Sequence, residues 1–193
     1  VDAKVDANGV MTLTYGKLGH SDIKIIATDE FGNNVTDDFR VRVAGDNAYT
    51  IAVIPDTQDY TLGGTNTFKE MTQWLLDNKD SLGIQFVSHV GDVTYNNTHA
   101  EWQNAEEALR LLDGKIPYSI TSGNHDIGPN GNASTRSQDY LSQYFTVAEQ
   151  SQLLGFGGVY DKEPDNYQNN YSTFTAPDGT KWLSLSLEFG PRD

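Results

Sequence analysis

Asp56, Gln58, Asp92, Asn124, His125 and Asp126 are the residues whose types and spacing could do chemistry. They stand in three short segments, Pro55-Asp56-Thr57-Gln58, Gly91-Asp92-Val93 and Gly123-Asn124-His125-Asp126, each following an apolar run of strand length. Carboxylate and amide oxygens are hard donors suited to divalent cations, and an imidazole can ligate a metal or carry a proton. Taken singly, Asp-x-Gln and Gly-Asp have a plainer reading, because an Asp after a strand is often a turn former or a helix cap. The third segment is more specific. A turn needs only its Gly and Asn, so an amide, an imidazole and a carboxylate in succession serve no packing purpose. In order, on successive strand ends, the three segments read as a metal site facing a phosphate.

The elements that must position them alternate. Thr50 to Ile54 is a compact strand, and Phe68, Met71 and Leu75 follow at helical spacing behind Thr67-Phe68-Lys69-Glu70, a capping-box pattern. Ile84 to Val90 is again strand-like. Thr98-His99-Ala100-Glu101 repeats the box and opens a helix with Trp102, Ala105, Leu109 and Leu112 on one side, before a third strand from Ile116 to Ile120. Strands alternating with helices predict βαβ units, a parallel sheet and right-handed crossovers, so the three segments share the carboxyl edge where ligands sit in open α/β sheets. Beyond Asp126 come a Gly-, Asn- and Ser-rich loop from Gly128 to Ser137, helices holding Tyr140, Leu141, Tyr144 and Phe145, and a cap at Thr146-Val147-Ala148-Glu149. Strands around Ser172 to Ala176 and Lys181 to Leu187 finish the chain.

The first 45 residues follow another period. Met11, Leu13 and Tyr15, then Ile23 and Ile25, then Phe39, Val41 and Val43 alternate as antiparallel β, with turn-forming residues at Asp29 to Asn34. The division predicted is 1–46 and 47–193. Composition narrows the function. With a net charge of −14 and a pI near 4.4, the chain lacks an electropositive footprint for nucleic acid or anionic membrane, so a bound phosphate needs a cation. There is no cysteine, which excludes thiolate metal sites, disulfides and cysteine nucleophiles. No apolar run has the ~20 residues of a membrane span, and Val1-Asp2-Ala3-Lys4 begins nothing like a signal peptide.

From Tyr49 onward the chain resembles the calcineurin-like metallophosphoesterases, whose motifs run Asp-x-His, Gly-Asp, Gly-Asn-His-Asp/Glu, a lone His and Gly-His-x-His. The first three are matched in order, with Gln58 in place of the usual His. The resemblance implies a binuclear centre of two divalent ions (Mn2+, Mg2+, Fe2+ or Zn2+) and hydrolysis of a small phosphorylated substrate. Asp56 and Gln58 would hold the first metal, Asp92 would bridge both and Asn124 would hold the second. The catalytic pair would be His125, facing the substrate, and Asp126, orienting its ring; Tyr95 and Asn96 are candidates to touch substrate. Gln58 exchanges a nitrogen ligand for an amide oxygen, which tilts that site toward Mn2+ or Mg2+.

The histidines are His20, His89, His99 and His125, none after the third motif, so the chain reads as a fragment carrying the first half of an α/β metallophosphoesterase sandwich. Alone it is expected to bind Mn2+ weakly and turn over little. Ile26-Ala27-Thr28-Asp29-Glu30-Phe31-Gly32-Asn33 resembles the closing hairpin of a bacterial immunoglobulin-like or cadherin-like repeat, implying the end of such a sandwich before the α/β part and an extracellular or cell-surface bacterial protein. The alternative is a non-catalytic adhesion or carbohydrate-binding protein on the same scaffold. His89 reads as a core histidine, His99 as solvated, and Trp74 and Trp102 as packing. The oligomeric state is not legible.

Overall fold

The computed structural model describes residues 2–63 and 65–190. The chain divides into two compact units, one ending at Ala48 and the other beginning at Tyr49. The N-terminal unit consists of two antiparallel hairpins. In the first, β1 (Asp2–Val5) pairs with β2 (Met11–Thr14) across a turn whose donors are collected by Asp6: its Oδ1 accepts from the amides of Asn8 and Val10, both at 2.9 Å. In the second, β3 (Gly19–Thr28) pairs with β4 (Asn34–Val43), and Asp29 plays the same part for the amides of Phe31 and Asn33. Met11, Leu13, Ile23, Ile25, Phe39, Val41 and Val43 are half-buried between exposed neighbours as the alternation predicts, but Tyr15, expected on the face of Met11 and Leu13, lies beyond the end of β2 and is exposed.

The second unit is mixed α/β. Its first half runs β5 (Thr50–Ile54), α1 (Gln58–Thr61), α2 (Thr67–Asp77), α3 (Lys79–Leu82), β6 (Ile84–His89), α4 (His99–Leu109) and β7 (Tyr118–Ile120). The strands form a parallel sheet in the order β5-β6-β7. Ile54 pairs with His89 and His89 with Ile120, so all three strands finish level and the three motif segments leave from one edge. Helix α4 starts as its sequence predicts, but it ends at Leu109, and Leu112 falls in the 3-10 turn that follows. Thr98 and Glu101 complete a reciprocal capping box, and Trp102, Ala105, Leu109 and Leu112 are fully buried.

Two expectations fail on α2. Asn66, not Thr67, precedes the helix, and the Glu70 amide already donates to the Asn66 carbonyl at 2.9 Å, so the box expected at Thr67-Glu70 is not made. Trp74, expected to pack, is 54 % exposed, because the buried stripe runs through Phe68, Thr72 and Leu75 and leaves position 74 outside it.

After β7 come α5 (Leu141–Tyr144), α6 (Val147–Gln150) and an antiparallel sheet of β8 (Phe156–Val159), β9 (Asn170–Thr175) and β10 (Lys181–Ser186) in the order β10-β9-β8. The rings of Phe86 on β6 and Phe174 on β9 stack 4.9 Å apart, and Asn170 donates from Nδ2 to the Ile120 carbonyl at 3.1 Å. Strand β8 is invisible to an alternation rule because its centre is Gly157-Gly158. A Cβ at Gly157 would stand 2.2 Å from the Tyr171 ring, so the glycine lets the aromatic lie flat on the strand. Among the described residues no helix is long and apolar enough to cross a membrane.

Candidate metal centre

Asp92 joins the three segments. Its carbonyl accepts from the Thr57 amide at 3.1 Å, tying it to the Asp56-Thr57-Gln58 segment. Its Oδ1 accepts from the His125 amide at 3.0 Å, tying it to the third. The backbone turns abruptly to allow this: Gly91 has φ +100° and Asp92 itself φ +49°, a left-handed conformation that costs a non-glycine residue ~1–2 kcal/mol. The glycines of the second and third segments then meet, since a Cβ on Gly91 would lie 2.9 Å from the Gly123 amide nitrogen. On the first segment the exposed Asp56 accepts the Gln58 amide on Oδ1 at 2.9 Å, which leaves its other oxygen for a ligand.

Asp126 does not orient the His125 ring. It is fully buried, and its carboxylate accepts from the amides of Gly123 (2.8 Å), Val93 (3.0 Å) and Thr94 (2.8 Å) and from the Thr94 hydroxyl (3.0 Å). With both oxygens spent on the second and third segments, it is a clasp between loops. The ring is held by a backbone group: His125 Nδ1 lies 2.7 Å from the Tyr95 carbonyl. A carbonyl only accepts, so Nδ1 carries the hydrogen and Nε2 is the nitrogen presented outward. The Tyr95 ring, 41 % exposed, lies 5.4 Å from that of His125. Asn96 is turned elsewhere. Its amide and its Nδ2 both donate to Glu101, a buried carboxylate that also receives the Thr98 amide and hydroxyl. The donors of Asn96 are thus committed to Glu101, whereas the Tyr95 ring lies exposed beside His125.

His89 does more than fill the core. Its Nδ1 accepts the Gly91 amide at 3.2 Å, so Nε2 bears the hydrogen and donates to Thr57 Oγ1 at 2.9 Å; that hydroxyl donates to the Val93 carbonyl. The network welds the first two segments together under the site. Burial holds the His89 imidazole down at about 3 against an ordinary 6.5. Burial pushes the Asp126 carboxyl up to about 6 from 3.8, against the pull of its four donors toward the anion.

Their linkages have opposite sign. Below 6.5 the unfolded chain takes a proton on His89 that the folded chain refuses, so that contribution is lost as pH falls. Between 6 and 3.8 the folded chain holds a proton on Asp126 that the unfolded one releases, so that contribution grows as pH falls. In metal-free protein the two nearly cancel. His89→Gln removes the His89 part, so between about pH 6 and 4 the slope of stability against pH shifts relative to wild type by up to about 1.4 kcal/mol per pH unit, toward greater stability in acid. Urea unfolding at the two ends of that window reads it, and equal slopes in wild type and variant would refute it.

The donor set suits a hard divalent cation. Gln58 Oε1 is buried yet has no hydrogen-bond partner, an amide oxygen that gains by meeting a cation. Among the described residues no three His, Asp or Glu side chains gather as a metal cluster. The family model of calcineurin-like phosphoesterases matches residues 49–190. The chain belongs to that family. The chain is 29% identical over 147 residues to the uncharacterized protein YvnB of Bacillus subtilis, covering 75% of this chain and 11% of that protein. It is 33% and 32% identical over 69 residues to the probable inactive purple acid phosphatases 24 and 27 of Arabidopsis thaliana, each match covering 35% of this chain and 10% of the relative. The chain thus spans about a tenth of the length of the curated relatives it matches. No solved structure matches it.

Proposed function

We propose that these residues form the first half of a two-metal phosphoesterase centre acting on a small phosphorylated substrate, with Asp56, Gln58, Asp92 and Asn124 as metal ligands. The observation that carries the reading is the convergence on Asp92, together with the unpartnered oxygen of Gln58. Two bound divalent ions would supply a clamp for the phosphoryl group and would acidify water for in-line attack. The chain's own residues do the rest. Asp92 has two oxygens and a charge to offset two cations. His125, with Nδ1 fixed on Tyr95, offers Nε2 to a phosphoryl or leaving oxygen, and in its protonated form can donate there. Tyr95 supplies an aromatic wall beside it. The N-terminal unit is read as the last strands of an immunoglobulin-like sandwich on an exported bacterial protein.

The names of the two Arabidopsis relatives favour a second reading, a scaffold without catalysis. Against it stands the presence of Asp92 and of the Asn124-His125 pair, the groups a decayed site would be free to lose. The test is a panel of phosphomonoesters and phosphodiesters with Mn2+, Mg2+, Fe2+ and Zn2+ on the full-length protein. Turnover is expected, with Mn2+ or Mg2+ favoured over Zn2+ because Gln58 contributes an oxygen. Asp92→Ala is expected to lower turnover at least ~10³-fold without unfolding. Cation binding with no turnover on any substrate selects the second reading, and two tightly held zinc ions overturn the metal preference.

A further inference from the structure

We propose that Gly131 is a positioning residue for His125: the loop after the third segment sets its backbone against the His125–Tyr95 hydrogen bond, where only a residue without a side chain fits. The inference rests on the reading of His125 as the substrate-facing group. The loop leaves at Gly128 and returns at Gln138, and its ends are tied. Gly128 donates from its amide to the Gln138 carbonyl at 3.1 Å, Ile127 and Asp139 form an antiparallel bridge, and Asn97 Nδ2 donates to the carbonyls of both Gly128 and Gln138 at 3.0 Å. Asn97 is 1 % exposed, and its Oδ1 accepts from Trp102 Nε1 at 2.7 Å, which anchors the clamp to the buried face of α4.

Closed in this way, the loop brings its turn onto the site. A Cβ on Gly131 would stand 2.4 Å from the Tyr95 carbonyl oxygen and 3.0 Å from His125 Nδ1, the acceptor and the donor of a single hydrogen bond. Gly131 also has φ +65°. Gly179, with φ +87°, makes the same conformational demand but has open space where its Cβ would be. A side chain at 131 must push the ring and the carbonyl apart. The imidazole, released from its acceptor, then takes either tautomer, and Nε2 is no longer fixed as the outward lone pair.

The experiment records ring-nitrogen NMR correlations of the full chain with Mg2+ at about pH 8.5. Wild type is expected to show His125 as the Nδ1–H tautomer and His89 as Nε2–H. In Gly131→Ala and Gly131→Asn, roughly half or more of His125 is expected to move to Nε2–H while His89 keeps its signature. Asparagine tolerates the left-handed backbone, so its agreement with alanine assigns the effect to the added atoms. Gly179→Ala should leave both rings unchanged. His125 remaining Nδ1–H in both Gly131 variants would overturn the inference. A chain that hydrolyses nothing, yet whose His125 tautomer responds to Gly131, keeps the positioning role and loses the phosphoesterase reading.

Discussion

Asp126→Ala lowers the stability of the chain by about 3–5 kcal/mol, among the largest losses a single substitution produces here. The carboxylate satisfies four donors, three of them backbone amides on two different loops. Each donor left buried and unpaired costs ~1–3 kcal/mol. Two terms offset part of that gross loss. The carboxyl is pushed up to about 6 by burial, so its charge is itself held at a cost of ~3 kcal/mol that the variant no longer bears. Water can also enter the space and reach some of the donors. The donors still win, because three of them belong to backbone that cannot rotate away. Urea unfolding reads the loss, and a melting temperature lower by roughly 10–15 °C accompanies it. A loss below ~1 kcal/mol, with the His125 ring released, would instead return Asp126 to the ring-orienting role that the motif implies.

That exchange of roles shows what the sequence could carry. Strand β5 was legible to the residue because an apolar run ends at Pro55, and the level ends of β5, β6 and β7 follow from βαβ alternation with helices of similar length. The ligand candidates were legible because they sit next to those ends. Whatever depends on a main-chain partner was not. The group that holds His125 is the Tyr95 carbonyl, which every residue possesses and no residue letter announces. Asn96 looked available because its amide is polar, yet Glu101 is five positions on and buried, and it collects the amide before any substrate can. His89 could be read as buried but not as the bridge between Thr57 and Gly91, since that depends on which neighbours β6 faces. Strand β1 escaped because it is only four residues long and all four are exposed, so its alternation has no buried face to mark it.

Gly123→Ala removes Mn2+ binding at the site with a smaller effect on the fold. The backbone at Gly123, φ −96° and ψ −171°, is one that any residue adopts, so conformational strain plays no part and contact alone decides the outcome. That contact is severe. The new Cβ would lie 2.1 Å from Asp92 Oδ1 and 2.3 Å from the Asp92 backbone nitrogen, so no rotation of the carboxylate relieves it. Asp92 cannot withdraw along the chain, because Gly91 is itself packed on Gly123 and Asp92 already holds a left-handed backbone. The segment must shift as a body, breaking the bond from the His125 amide and moving the oxygens a cation would use. In the full-length protein the expected result is at least a ~100-fold loss of Mn2+ affinity by calorimetry, with ~1–3 kcal/mol of stability lost to overpacking. Asp92→Asn, which removes the charge while keeping the shape, should match the affinity loss and retain more of the stability. Undiminished Mn2+ affinity in Gly123→Ala would mean that Asp92 can leave its place at no cost to the cation, and its assignment as the ligand shared by two ions would fall.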